Sequence, residues 1–153
     1  MNGIVSELIA ASPERVAEIM FDFSWEPHWI PAVKSVQRAS DHSEFVPGMR
    51  VRRQGNMFGA REWTIEVGAH DPLRLLLRHV DGDFKGFEEV YELAPEGLGT
   101  RASVRYGNIT LGFPEGMLFR WAYRKNLKRL KAIVEQREVR RLSELSKDKG
   151  GLN

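Results

Sequence analysis

Cysteine is absent from the 153 residues of this chain, which excludes disulfide bonds and metal sites built on thiolates. The four histidines, His28, His42, His70 and His79, lack the spacing of a metal-binding motif. No Gly-rich phosphate loop follows a predicted strand, and no nucleophile elbow is present. These absences argue against metal, nucleotide and serine-hydrolase chemistry, and we expect no cofactor and no metal.

Long apolar runs are also missing. No stretch approaches the roughly 18 uncharged apolar residues of a membrane-spanning helix. Residues 1–11 lack the basic segment and the apolar run of a signal peptide. The sequence therefore predicts a cytoplasmic protein without a transmembrane segment. Its length, with 42% hydrophobic and 29% charged residues, fits one globular domain over residues 1–145, and the polar residues 146–153 are predicted to form a disordered tail.

Apolar spacing divides the chain into helical and extended parts. After a predicted first strand, Gly3–Ala10, the segment Ser12-Pro13-Glu14 is typical of a helix start. A second short helix is predicted over Trp25–Trp29. From Val33 to Leu111, apolar and polar residues alternate between turn signals, which predicts an antiparallel meander. Its six strands are predicted at Lys34–Ala39, Met49–Gly55, Ala60–Ala69, Leu73–Val80, Phe84–Leu93 and Thr100–Leu111.

A long helix is predicted over Glu115–Leu145. One face carries apolar residues at spacings of four, four, three and four: Phe119, Tyr123, Leu127, Leu130 and Val134. The predicted fold class is α+β, in which a curved antiparallel sheet of about seven strands grips this helix. A single helix cannot fill a strongly curved sheet, so we expect an internal cavity.

The chain resembles the START-like superfamily, also called the helix-grip or SRPBCC group. The resemblance spans residues 3–136 and depends on segments in a typical order: Ile9 to Val16, Trp29 to Val33, the Asp71-Pro72 turn, the Pro95 to Thr100 hairpin, and Leu127 to Lys131. The superfamily includes polyketide cyclases, coenzyme-Q-binding proteins, plant allergen-type carriers and lipid-transfer domains. The resemblance implies this fold with a ligand cavity. It implies no catalytic residue, because the superfamily shares no catalytic motif.

Polar residues interrupt the apolar rows that strand alternation directs to one face. If these rows point inward, Arg53, His79, Glu89, Tyr106 and Asn108 would be polar groups among apolar neighbours, suited to orient a ligand. The predicted cavity lining comprises Trp29, Arg53, Trp63, Leu77, His79, Phe87, Glu89, Tyr91, Tyr106, Asn108, Tyr123 and Leu127.

Each of these residues also has a purely structural interpretation. Arg53 and Glu89 could pair with each other, and His79 could be a solvated strand end. Tyr91 and Tyr106 could be core residues with satisfied hydroxyls, and Trp29 could pack at a helix–sheet junction. A one-residue shift in register would turn a whole row outward. The apolar turn at residues 57–59 could be a cavity entrance or a docking loop.

The charge of the chain is unevenly distributed. Residues 120–141 hold nine Lys or Arg and two Glu, a net +7, whereas the whole chain carries +2. Arg120, Arg124, Lys128 and Lys131 form a stripe beside the apolar face of the long helix. The stripe fits an anionic partner, such as an acidic protein, a lipid headgroup or a nucleic acid, or simply a solvated helix face. Nothing in the sequence interleaves aromatic residues for nucleic acid, so no nucleic-acid partner is expected.

Three functions follow as hypotheses. The first is a non-catalytic carrier or sensor of a small hydrophobic molecule, such as a quinone, a polyketide-like aromatic or a lipid. The second is a cyclase or dehydratase that uses Glu89, His79 or Arg53 as an acid or base in the cavity. The third is a protein-interaction module that uses the basic stripe of the long helix and the apolar turn at residues 57–59. The sequence leaves the ligand, the reaction and the oligomeric state open.

Overall fold

Seven β-strands form one open antiparallel sheet in the computed structural model, which describes residues 2–38 and 46–150. The strands are β1 Gly3–Ile9, β2 Val33–Arg38, β3 Arg50–Met57, β4 Ala60–Asp71, β5 Arg74–His79, β6 Glu88–Glu96 and β7 Gly99–Gly107. The helices are α1 Pro13–Met20, α2 Glu26–Trp29 and α3 Phe113–Gly150, with a 3₁₀ turn over Phe23–Trp25. The predicted fold class is confirmed: a curved sheet, two short helices after the first strand, and a long C-terminal helix.

The strand order is β1-β7-β6-β5-β4-β3-β2, so β1 and β2 lie at opposite edges of the sheet. The segment that contains α1 and α2 must therefore cross the width of the sheet. Ser12 caps α1, because its side chain accepts a hydrogen bond from the Arg15 amide. Val16, Ile19 and Met20 bury the inner face of α1, as their spacing predicts.

Alternation sets the inner face of the sheet. On β4, Trp63, Ile65 and Val67 are buried, and the residues between them are partly exposed. This period of two is the pattern of a sheet with one face on the core. The buried row of β4 faces the same core as α3.

Helix α3 covers that face with the row that the sequence predicts. Phe119, Tyr123, Leu127, Leu130 and Val134 are all buried, and each large apolar side chain contributes roughly 1.5–3 kcal/mol on burial. Within the described ranges, no helix is both long and apolar enough to cross a membrane.

The ends of three elements differ from the prediction by four residues or more. Helix α3 begins at Phe113 and continues to Gly150, so part of the segment predicted to be disordered is helical. Residues 146–149 contain no helix breaker, so nothing in them ends the helix at Leu145. Strand β6 begins at Glu88, because residues 83–86 form a turn with Gly86 at positive φ. Strand β7 ends at Gly107. Ala39, the predicted end of β2, lies outside the described residues.

Candidate ligand cavity

A cavity of about 480 Å³ lies between α3 and the part of the sheet formed by β3, β4 and β6. Its inner wall consists of buried side chains: Ile30, Val33, Arg53, Trp63, Glu89, Phe119, Tyr123 and Asn126. Its outer wall includes exposed residues: Pro31, Asn56, Phe58, Gly59, Trp121 and Lys125. The cavity therefore opens between the β3–β4 hairpin and the first half of α3. The apolar turn at residues 57–59 lies at this opening.

The β3–β4 turn positions Phe58 at the opening. Met57 pairs with Ala60, so Phe58 and Gly59 form a two-residue hairpin loop, and both have positive φ, at 50° and 97°. This backbone matches the twist of the flanking strands. The ring of Phe58 lies edge-on to Phe119, with 4.9 Å between ring centroids, although Phe58 remains 45% exposed. The turn thus places an aromatic side chain partly in the mouth and partly in solvent.

Arg53 joins two buried carboxylates at the inner wall. Its Nε and Nη2 donate to the two oxygens of Glu26, at 2.9 and 2.5 Å. Its Nη1 donates to Glu89 Oε1 at 3.4 Å. All three side chains are almost fully buried. A bidentate arginine–carboxylate bond is among the stronger pairings available to a buried charge, so Glu26 holds Arg53 in one orientation.

Glu89 accepts four hydrogen bonds. Its Oε1 lies 3.0 Å from His79 Nε2 as well as near Arg53. Its Oε2 accepts from the Tyr91 hydroxyl at 2.5 Å and from the Tyr123 hydroxyl at 2.8 Å. A carboxylate has about four lone-pair sites, so the acceptor capacity of Glu89 is full. The bond from Tyr123 also ties α3 to β6 at the cavity wall.

The electrostatics of this cluster hold Glu89 ionised. Burial raises the pKa of Glu89, but the hydrogen bond from His79 and the charge of Arg53 outweigh that effect and hold the pKa well below its usual range. Burial and the charge of Glu89 raise the pKa values of Tyr91 and Tyr123, so both tyrosines stay protonated and donate. Burial also raises the pKa of Glu26, and Arg53 offsets only part of that rise.

Three side chains of the inner wall retain unused hydrogen-bonding groups within the described part of the chain. The indole Nε1 of Trp63 is buried without a partner. Asn126 is only 8% exposed, and its amide makes no hydrogen bond to any described residue. Of the five N–H groups of Arg53, three bind the two carboxylates. Arg53 lies directly opposite Trp63 across β3 and β4, so the two side chains share one face.

An aromatic wall continues from this polar end toward the mouth. Tyr123 stacks on Tyr106, with 4.6 Å between centroids, and Phe119 lies 4.8 Å from Phe87 and 4.9 Å from Phe58. Each ring is held by at least one other ring, an arrangement that fixes their orientation. The wall therefore presents an apolar surface to a ligand, and the contacts between its rings keep the side chains from rotating into the cavity.

The predicted lining residues separate into three groups. Four line the cavity: Arg53, Trp63, Glu89 and Tyr123. Seven are buried behind it in the core: Trp29, Leu77, His79, Phe87, Tyr91, Tyr106 and Leu127. His79 is thus a buried partner of Glu89 and not a solvated strand end. Arg53 and Glu89 pair with each other and also line the cavity. The structural interpretation as an ion pair and the interpretation as cavity-lining residues are therefore compatible.

Asn108 is the exception and corrects the prediction. It is exposed, and its amide donates to Glu88 at 2.5 Å. The alternating pattern of the sequence continues past the true end of β7. Gly107 and Asn108 both have positive φ, at 145° and 75°, so the backbone leaves the sheet and Asn108 no longer follows the inward row.

Glu26, Asn126 and Phe119 belong to the site but are absent from the predicted lining. Glu26 lies in a four-residue helix, where no periodicity reveals an inward side chain. An arginine on an apolar row requires a buried carboxylate, and that requirement was the only signal for Glu26. Asn126 follows Tyr123 by three residues, so helical spacing places both on one face.

No cluster of three or more potential metal ligands occurs within residues 2–38 and 46–150.

Comparisons with known proteins bear on the family and the fold of this chain. A family model described as polyketide cyclase / dehydrase and lipid transport matches residues 5–135. The Aha1 dimer from Colwellia psychrerythraea is similar, with a TM-score of 0.69 and 17% identity, over 86% of this chain and 94% of that one. Protein TTHA0849 from Thermus thermophilus has a TM-score of 0.61 and 24% identity, over 88% and 94% of the two chains. Ara h 8.0201 has a TM-score of 0.67 and 13% identity, over 86% and 95%.

At these identities the structural similarities establish the fold alone, and no curated protein matches the chain. The family match covers most of the sequence and supports hydrophobic ligand binding in general. The chain belongs to the family of polyketide cyclases, dehydrases and lipid transport proteins.

Proposed function

We propose that the protein binds a small hydrophobic molecule in the cavity between α3 and the sheet, as a carrier or sensor. Quinones, polyketide-like aromatics and lipids are the ligand classes of this proposal. The observation that carries it is the cavity itself. Its volume of about 480 Å³ falls within the usual range of small-molecule sites, and its aromatic wall is typical of the lining of such sites.

The unused polar groups at the inner end specify how the ligand is oriented. Trp63 and Arg53 offer N–H donors, and the amide of Asn126 offers both donors and an acceptor. A ligand oxygen that accepts from Trp63 satisfies an indole N–H that otherwise remains buried and unpaired, at a cost of about 1–3 kcal/mol. The favoured ligand therefore has an apolar body and a carbonyl, phenolate or carboxylate oxygen at its buried end.

The charge cluster favours binding over acid–base catalysis by Glu89. A general base needs a free lone pair and a pKa near the working pH. Glu89 has neither, because four donors occupy its oxygens and its pKa is held low. Arg53 stays protonated between two carboxylates and cannot exchange a proton. We therefore assign the cluster to positioning, and the cyclase or dehydratase hypothesis is disfavoured for these residues.

A matched pair of probes tests the proposal. Isothermal titration calorimetry would compare 2-methyl-1,4-naphthoquinone with 2-methylnaphthalene, which lacks the two oxygens. We expect the quinone to bind more tightly, and both to bind with a negative heat-capacity change. Trp63→Phe removes one N–H donor and keeps an aromatic ring, and should weaken quinone binding by roughly fivefold or more while leaving the hydrocarbon nearly unaffected.

A second variant tests the place of binding. Ala122 lines the cavity, so Ala122→Phe should fill it and abolish binding of both probes. Ala132→Phe adds the same ring to the same helix outside this cavity and serves as the control. Equal affinities of the wild type and Ala122→Phe, with both proteins folded by circular dichroism, would refute the proposed site.

A further inference from the structure

We propose that the mouth of the cavity docks on an anionic membrane surface. The docking face comprises Phe58 of the β3–β4 turn and the exposed residues of α3 between Met117 and Arg129. Docking itself does not depend on the proposed function. Its consequence for ligand entry, described below, does.

The docking face exposes large apolar side chains beside the cavity opening. Met117 is 58% exposed, Leu118 46%, Trp121 60% and Phe58 45%. Residues 117, 118 and 121 follow helical spacing and therefore share one side of α3. Trp121 and Phe58 also line the cavity, so the apolar patch is continuous with the mouth. Single exposed apolar residues are normal on proteins, but a contiguous group at a cavity entrance marks an interaction site.

Positive charge surrounds this apolar patch. Residues 116–134 contain six basic and no acidic side chains. In the described part of the chain, none of Arg120, Arg124, Lys125, Lys128 and Arg129 forms an ion pair with a carboxylate. The ammonium of Lys125 lies instead over the Trp121 ring, 5.0 Å from its centroid. Many arginines of the sheet, by contrast, pair with glutamates across strands, as Arg50 does with Glu66 and Arg105 with Glu92.

The combination of an exposed apolar patch with surrounding positive charge favours a membrane over other anionic partners. Docking through Trp, Leu and Met side chains is favourable only where these side chains leave water, and a duplex nucleic acid offers no apolar layer to receive them. A lipid surface accepts apolar side chains at the headgroup level and attracts Lys and Arg through anionic lipids. Tryptophan in particular is enriched at the membrane–water interface.

Docking in this orientation turns the cavity opening toward the lipid. A hydrophobic ligand could then move between bilayer and cavity without crossing bulk water. This consequence combines the docking face with the proposed function, because it requires that the cavity bind such a ligand.

Co-sedimentation with vesicles tests the docking, using the full chain without any added ligand. Vesicles of phosphatidylcholine would be compared with vesicles that also contain phosphatidylserine. We expect binding to the anionic vesicles only, and weaker binding at higher salt. Each basic residue near the surface contributes about fivefold in affinity, so Arg124→Glu with Lys128→Glu should reduce partitioning by roughly tenfold or more.

Matched controls exist on the distal half of the same helix. Arg140→Glu with Lys147→Glu changes the charge equally at exposed positions, and should weaken vesicle binding far less. Leu118→Ala with Trp121→Ala should also weaken binding severalfold, whereas Val139→Ala with Leu142→Ala, at exposed positions, should not. An equal effect of the proximal and distal charge pairs would overturn the assignment of this face.

Two further outcomes would also refute the docking face. The first is equal binding to neutral and anionic vesicles. The second is that the protein fails to bind vesicles but binds polyglutamate in a salt-sensitive manner. That second result would assign the basic stripe to an acidic protein partner. Ala122→Phe separates the two proposals, because it should abolish quinone binding and leave vesicle binding intact. Loss of vesicle binding in the charge-reversal variant with full quinone binding would in turn support docking as an independent property.

Discussion

Removal of the Arg53 charge should reveal how strongly the buried cluster is coupled. Arg53→Met keeps a side chain of comparable length but leaves Glu26 and Glu89 buried without their shared cation. Breaking a buried ion pair by removing one partner costs about 3–5 kcal/mol. Because two carboxylates lose a partner here, we expect the free energy of unfolding to fall by at least that amount.

Glu26→Leu provides the second side of a double-mutant cycle. Alone, it leaves Arg53 with the longer bond to Glu89 only, and should also cost about 3–5 kcal/mol. The double variant removes both charges of the closest pair and replaces them with apolar side chains. Since an apolar pair can be as stable as a buried ion pair, the double variant should cost less than the two single changes together, by about 2–3 kcal/mol.

Urea unfolding followed by circular dichroism measures each free energy. Arg52→Met is the matched control, because Arg52 is the adjacent residue on β3 and also pairs with a glutamate, Glu62, but in solvent. That change should leave the free energy of unfolding almost unaltered. Strong coupling within the buried cluster is refuted if Arg53→Met is as mild as Arg52→Met, or if the effects of the two single changes add to within about 0.5 kcal/mol.

The remaining predictions concern packing, pH and backbone conformation. Leu127→Ala should cost about 2–5 kcal/mol in urea unfolding, because Leu127 is 1% exposed in the core. Below pH 4.5, the ordinary pKa of a glutamate, the wild type should lose stability as protons bind Glu89, whose folded pKa is lowered; Glu89→Gln should lose less over the same series. Burial raises the pKa of Glu26, which opposes this trend in both proteins. Gly59→Ala should destabilise because φ is +97°, whereas Gly116→Ala, with equal space for a Cβ in a helix, should stabilise by about 0.5–1 kcal/mol in thermal unfolding.

Periodicity accounts for the part of the fold that the sequence predicts well. The row from Phe119 to Val134 and the alternation of Trp63, Ile65 and Val67 both report a face that is buried along a regular element. The C-terminal end of β7 could not be predicted from the alternation, because Asn108 continues the alternating pattern in the sequence while its backbone has left the sheet. Alternation specifies a face only where the extended conformation persists.

The charge cluster could be predicted only in part. Arg53 and Glu89 lie on inward rows of regular strands, so their pairing was one of the open interpretations. Glu26 comes from a short helix outside any periodic element, and the chain has 21 acidic residues that could have served instead. The unused amide of Asn126 likewise depends on the shape of the cavity, which no linear pattern contains.

A crystal structure of the protein with 2-methyl-1,4-naphthoquinone would show whether the cavity between α3 and the sheet is the ligand site. We expect electron density for the ring system in the cavity between α3 and the sheet. We also expect one quinone oxygen within about 3.2 Å of Trp63 Nε1 or of the Asn126 amide nitrogen. Quinone density at another surface, or a cavity closed by rotation of Phe119 and Tyr123, would contradict the claim that this cavity is the ligand site.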